Sequence, residues 1–227
     1  MTTERIPDQQ PLWDAWHASG RSTGRYAGHQ RLRQTFTERM TRLPAARRVL
    51  DVGCGQGHDM LAMAAAGWHV TGVDLSPEAI RLARARVPEQ SGQPDAAATE
   101  LHVHDIAAGL PFATGRFDGV YSHLALHYFT ERTTQHVFDE IGRVLRPDGV
   151  LAFCVKSTAD PNYGKGEQFG PRIFSVDGHV RHFFDEEYTR KLLTGWRIEM
   201  LDHYDGRFES GRSSAFIGVV ATRADAG

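Results

Sequence analysis

An α/β fold, a mostly parallel sheet with helices on both faces, is predicted by three features of this 227-residue chain. From residue 47 onward short apolar runs alternate with helical patterns, as a parallel sheet with crossover helices requires. The first run ends in a glycine-rich loop, DVGCGQG at 51–57. The second and third runs each end in an aspartate, Asp74 and Asp105, at the strand tips where open α/β sheets bind ligands.

Taken in order, residues 1–46 carry Trp13, Trp16 and Tyr26 and are expected to be helical from about Arg31 to Arg42; they read as a helical lid at the front of the sheet. Strand candidates follow at 48–52 (RVLDV), 69–75 (HVTGVDL), 100–105 (ELHVHD), 117–122 (FDGVYS) and 149–155 (GVLAFCV). Between the first two, HDMLAMAAAG places Leu61, Ala62 and Ala65 at helical spacing and stops at Gly67, suited to a left-handed helix end. Ser76 caps the next helix, with Pro77 in its first turn and Glu78 near the positive end of its dipole. A helix after Thr130 carries the apolar stripe Val137, Ile141, Val144 and Leu145 and ends at RPDG. Residues 157–184 are too long and too rich in glycine and proline for an ordinary connection and read as a substrate loop. A helix over Asp185–Leu193 and a closing hairpin, WRIEMLDHY and SSAFIGVVAT joined by DGRFESGR, complete a single domain over residues 1–227, with 47–156 as its ligand-binding core and 185–227 as its closing helix and hairpin.

The composition excludes several classes. With 26 Lys and Arg scattered against 28 Asp and Glu, the chain has no basic stripe, so nucleic acid is not expected as a partner. No apolar run approaches the roughly 20 residues needed to span a bilayer, and MTTERIPDQQ lacks the apolar core of a signal peptide. A cytoplasmic monomer or homodimer without membrane contact is the expectation. Cys54 and Cys154 read as small buried residues rather than a disulfide, and neither belongs to a zinc spacing.

Three cradles compete for the glycine loop. A triphosphate loop needs Lys and then Ser or Thr at its end, but Gly57 is followed by His58 and Asp59. A dinucleotide fingerprint needs a third glycine three positions after Gly55, where His58 stands; an NAD-dependent reductase is therefore a weak alternative. What remains is Asp51, Gly53, Gly55 and Gly57 on alternate positions, with Asp74 and Asp105 at neighbouring strand ends.

RVLDVGCGQG, GVDLS, HDI, FDGVYSHLALHYF and LRPDGVLAF, in that order over about residues 47–155, resemble the motifs of class I S-adenosylmethionine-dependent methyltransferases. The resemblance implies a Rossmann-like, mostly parallel seven-stranded sheet with a C-terminal antiparallel hairpin, S-adenosylmethionine as cofactor and a small molecule as methyl acceptor. It places Asp51, Gly53, Cys54, Gly55 and Gly57 around the methionyl part of the cofactor, whose carboxylate the N–H groups beside the helix N-terminus can receive. Asp74 would take the ribose hydroxyls, flanked by Leu75 and Ser76, and Asp105 the adenine amino group, with Ile106 against the ring. The Trp-rich start LWDAWHASGRSTGRY is similar to thiopurine and thiol methyltransferases, and the YGKG and RHFF stretches to methyltransferases of the tellurite-resistance type. Tyr26 and Arg31 are candidates for the cofactor carboxylate.

Residues just after the fourth strand look into the site in the resembled family, which points to Ser122, His123, Leu124, His127 and Tyr128. His127 is the first choice for a base, since histidine titrates near neutral pH; His182 is a second. Trp13, Trp16, Tyr163, Lys165 and Arg181 are candidates for acceptor binding. His123 and His127 have the spacing of two metal ligands on one helical face, but no third ligand is evident and no metal is expected. A non-catalytic sensor of the cofactor, or an activating subunit, is the alternative from another class; it would fill the pocket that an enzyme leaves open.

Overall fold

The computed structural model describes residues 6–20, 27–43, 47–87, 99–207 and 213–223. In chain order its first half contains α1 (Gln10–Ala18), α2 (Ala27–Thr41), β1 (Arg48–Val52), α3 (His58–Ala65), β2 (His69–Asp74), α4 (Pro77–Arg86), β3 (Thr99–Val103), a 3₁₀ turn at Ile106–Ala108 and β4 (Phe117–His123). Its second half contains α5 (Glu131–Val144), β5 (Leu145–Lys156), β6 (Glu167–Gly170), β7 (Ile173–Val176), β8 (His179–His182), α6 (Glu186–Leu192), β9 (Trp196–Arg207) and β10 (Ser213–Arg223).

Seven strands form one sheet in the order β3-β2-β1-β4-β5-β10-β9. The pairings are parallel from β3 through β5, while β10 runs antiparallel to both β5 and β9, as the expected closing hairpin. Connections leave β1 toward β2 on one side and return through β4 on the other, so the sheet has its switch point at the carboxyl end of β1.

Alternating side chains feed two apolar layers. Leu50, Val52, Val120, Leu151 and Phe153 pack with α5 and α6 through Val137, Phe138, Ile141, Tyr188 and Leu192. Val49, Val70, Tyr121, Ala152 and Phe216 face the other way, against Leu32, Phe36 and Met40 of α2 and Met60 and Met63 of α3. The expected cap is present, the Ser76 hydroxyl accepting from the Ala79 N–H; Thr130 caps α5 in the same way through Thr133, and Asp185 caps α6 through Tyr188. Gly67, at φ 83°, ends the turn after α3.

Several expectations are corrected. The α3 stripe is out of phase: Met60 and Met63 are buried, whereas Ala62 and Ala65 are exposed and Leu61 half-buried, because the long thioethers reach the sheet beside Trp68. The N-terminal segment is not one lid. Helix α2 is a layer of the fold, with Leu32, Phe36 and Met40 fully buried, and only α1 covers the front of the sheet. The 157–184 stretch contains a second, antiparallel sheet, β6-β7-β8, with Tyr163, Phe174 and Phe183 packed together. Finally, β5 begins at Leu145 and takes in RPDG, with Asp148 at φ 59°.

Candidate active site

A cavity of about 610 Å³ opens beyond the carboxyl ends of β1, β2 and β4, at the switch point. Its floor is the glycine loop. Gly53, at φ 69°, lies so close to the segment after β4 that an added Cβ would come within 2.1 Å of the Ala125 Cβ. Only glycine allows both this backbone angle and this approach. Opposite it, Leu124 holds φ 61°, an uncommon conformation for a leucine that turns the chain into the cavity wall.

Two carboxylates organise the floor. Asp74 accepts from the Gly55 N–H at 2.8 Å and the Ser76 N–H at 2.9 Å, one on each oxygen. Each oxygen keeps acceptor capacity toward the cavity. Asp51 is buried and accepts from the Met60 N–H, while its Oδ2 has no hydrogen-bond partner among the described residues. Burial first, and then the neighbouring Asp59 and Asp74 charges, push the Asp51 carboxyl well above the usual carboxylate range. Burial also raises Asp74, against the pull of its two N–H donors and His17. Such a site asks for a cation or for hydrogen-bond donors.

Helix α1 forms the roof. Asp14 accepts from the Ser76 hydroxyl, which ties α1 to the start of α4. Gln9 pairs with the β7–β8 turn, accepting from the Val180 N–H at 3.1 Å and donating to the Gly178 carbonyl at 3.4 Å. Between these anchors Trp13 meets Tyr128 at 4.7 Å and His179 at 5.1 Å between ring centroids, Trp16 sits edge-on to Trp13, and His17 covers Gly55.

The sequence-predicted residues divide sharply. Asp51, Gly53, Cys54, Gly55, Asp74, Leu75, Asp105, Ile106, His123, Leu124, Trp13, Trp16 and Tyr128 all line the cavity. Asp105 also caps the 3₁₀ turn, accepting from the Ala107 N–H at 2.9 Å. Gly57, at φ 80°, is the N-cap of α3 behind the loop, and Ser76 faces Asp14 rather than the cavity. The loop N–H groups of Gly53, Cys54, Gly55 and Gly57 are engaged by Val73, Asp74 and Cys54, so they do not form the expected anion cradle.

Others are displaced. The Ser122 hydroxyl is buried and donates to the Val52 carbonyl at 2.8 Å, locking β4 to β1. Arg31 pairs with Asp202 at 2.8 Å, on β9 at the far edge of the sheet. His127 is fully buried, does not line the cavity, and is held well below 6.5 by burial and by the nearby cations Lys156 and Arg181. His182 lies in the core against Thr134, Phe184 and Tyr188, its pKa lowered to about 4 by burial. Neither histidine is placed to take a proton from an acceptor in the cavity. Arg181 bonds to Tyr128 from outside the cavity, while Tyr163 and Lys165 are exposed in the turn ahead of β6 and do not line it. Tyr26 lies outside the described residues.

Sequence reasoning missed Asp14, His17, His29, Asp59, Phe129 and Thr133. The helical spacing of Trp13, Trp16 and His17 could have exposed the last of that trio, since residues three and four apart share a face. Nothing local marks His29.

A sequence family described as a methyltransferase domain matches residues 49–149. The chain is 36% identical over 185 residues to a malonyl-[acyl-carrier protein] O-methyltransferase of Enterobacter lignolyticus, an alignment covering 80% of this chain and 68% of that one. The chain belongs to the class I S-adenosylmethionine-dependent methyltransferases. A further relative, an uncharacterized methyltransferase of Synechocystis, is 34% identical over 125 residues, 55% of this chain; the chain spans only 54% of that protein's length. In shape the methyltransferase resembles the 1,6-didemethyltoxoflavin-N1-methyltransferase of Burkholderia thailandensis, solved with its substrate and S-adenosylhomocysteine, at a TM-score of 0.66, with 19% identity and coverage of 95% and 87% of the two chains.

The residues present fit the family's cofactor. The partnerless oxygen of Asp51 suits an ammonium group, and the open acceptor positions of Asp74 suit a pair of hydroxyls. Five acids, Asp8, Asp51, Asp59, Asp74 and Asp105, line the cavity with no Lys or Arg among the described lining residues, a setting that favours a cation such as a sulfonium.

Proposed function

We propose that this methyltransferase moves a methyl group from S-adenosylmethionine to a neutral or cationic small molecule with an aromatic or soft accepting atom. The bound cofactor supplies a methyl group already activated by the positive sulfur beside it. What remains for the chain is to position a nucleophile in line and to exclude water. Trp13, Trp16, Tyr128 and Phe129 offer flat apolar faces for the acceptor, and α1 with the β7–β8 turn covers them. The observation that carries this reading is the cavity's lining: aromatic on the roof, carboxylate on the floor, and without Lys or Arg among the described residues. An anionic acceptor would meet the acids with no counter-charge among the described lining residues, whereas a cationic one gains from the aromatic faces as well. The open cavity also favours an enzyme over a filled sensor module.

A second reading comes from the Enterobacter relative, whose name gives a malonyl group on acyl-carrier protein as acceptor. The same cavity lining counts against it. The deciding experiment incubates the protein with methyl-labelled S-adenosylmethionine and a panel of thiols, phenols, heteroaromatic amines and malonyl-acyl-carrier protein, followed by mass spectrometry. Label on the neutral or cationic members supports the proposal. Label only on the malonyl thioester replaces it with the second reading.

A further inference from the structure

Beside Asp51, three side chains from three separate elements converge on the cavity wall. His29 comes from the first half of α2, Asp59 from the first turn of α3, and His123 is the last residue of β4. The Nε2 of His29 lies 3.0 Å from Asp59 Oδ2. The His29 and His123 rings stack with centroids 3.9 Å apart and planes 19° from parallel. One donor atom from each of the three lies within 4.8 Å of the other two. Asp59 and His123 line the cavity, and His29 closes the group from behind.

We infer that His29, Asp59 and His123 form a binding site for a first-row divalent transition-metal ion, of the zinc or cobalt class, with its open positions facing the cavity. Two imidazoles and one carboxylate are a donor set such ions accept while leaving room for an exogenous ligand. Ligand bonds of about 2.0 to 2.2 Å put donor atoms roughly 3 to 3.5 Å apart around one ion. The His29–Asp59 pair already has that spacing, and the wider gaps, up to 4.8 Å, close by at most about 1.3 to 1.8 Å through rotation of the His123 ring at its strand end. A further acid stands beside the group: Asp51, whose Oδ2 has no partner among the described residues. Among the described residues the opposing group is Arg33, whose Nη1 is 3.7 Å from the other Asp59 oxygen. It is 32% exposed and can turn to solvent. His127, at the ligand spacing from His123 that the sequence offers, is buried in the core, and the groups that meet His123 come from α2 and α3.

The test uses the full-length, untagged protein, freed of metal by chelator dialysis and without added S-adenosylmethionine. It is titrated with Zn²⁺ by calorimetry and with Co²⁺ by visible absorption. Saturable binding of one ion and a cobalt ligand-field band of less than octahedral symmetry are expected. His29→Ala, Asp59→Asn and His123→Asn should each weaken Zn²⁺ binding by roughly 100-fold or more. His102→Ala, on the exposed end of β3, should leave it unchanged. Circular dichroism accompanies each variant; if His29→Ala does not fold, His123→Asn, on the cavity wall, carries the test. Absence of saturable Zn²⁺ binding by the wild type, or binding undiminished in folded His123→Asn and Asp59→Asn, would overturn the inference and assign any residual signal to surface histidines. Because binding is read without cofactor or acceptor, the result is independent of which molecule is methylated.

Discussion

On the floor of the cavity the working groups sit close together in the chain, from Asp51 through the glycine loop to Asp74, each at or just after the end of a strand. On the roof, Trp13, Tyr128 and His179 meet from a terminal helix, the segment after β4 and an inserted sheet. The floor is acidic and hydrogen-bonded to backbone, and its geometry follows from parallel strand pairing alone. The roof is aromatic and is held by a few side-chain bonds, Asp14 to Ser76 and Gln9 to the β7–β8 turn. A binding function common to a family can be built from local motifs on a rigid sheet, whereas a specificity surface is assembled from distant segments that can each vary.

The two regions also respond oppositely to pH. Asp74 on the floor has a raised pKa, so the folded state binds its proton more readily than the unfolded chain does, and folding gains as pH falls through that raised value. His182, in the core behind the roof, has a pKa lowered from 6.5 to about 4. Its unfolded form takes up a proton first, so its contribution to stability is complete above about pH 6.5 and is lost as pH falls toward 4.

The sharpest way to break the comparison is at the floor. Asp74→Ala should reduce S-adenosylmethionine affinity by roughly 100-fold or more, through loss of charge-assisted bonds worth about 1.5 to 3 kcal/mol each. Calorimetry reads this directly, and in the wild type the affinity should begin to fall at a pH above the ordinary aspartate value of 3.8. Gly53→Ala should destabilise the fold by about 3 kcal/mol, since it combines a positive φ with a collision against Ala125, and should lower the thermal midpoint by roughly 6 to 12 °C. At the back of the roof, His182→Phe should remove up to about 3 kcal/mol of acid destabilisation between pH 6.5 and 4, measured as a flatter denaturation midpoint against pH than in the wild type. The smallest effect belongs to Ser122→Ala. It should cost about 1 kcal/mol of stability and leave cofactor affinity unchanged, because its hydroxyl joins β4 to β1 and does not face the cavity.

How much was legible in the sequence follows the same division. Asp74 and Asp105 could be placed at the cavity because a strand tip is a local feature, readable from where an apolar run stops. The Ser76 cap was legible for the same reason. His127 and His182 were misread because a histidine near a site looks the same in sequence whether its ring faces cavity or core; here β8 closes over both, with the His182 N–H donating to the His127 carbonyl at 2.8 Å. Arg31 was misread because α2 turns that position toward Asp202 while burying Leu32 and Phe36.

The amino-acid order by itself determined the alternation of strand and helix, the glycine loop and the acids at the strand tips, because these depend on short-range period, backbone freedom and strand polarity; the methyl donor followed from the resemblance of these motifs to the class I methyltransferases. Tertiary structure alone decided that α1 is the roof and α2 a layer of the core, that residues 157–184 contain a small sheet outside the cavity, and that His29, Asp59 and His123 meet. Those outcomes depend on which apolar faces bury against one another, and a contact between α2, α3 and β4 leaves no spacing in the chain from which it could be read.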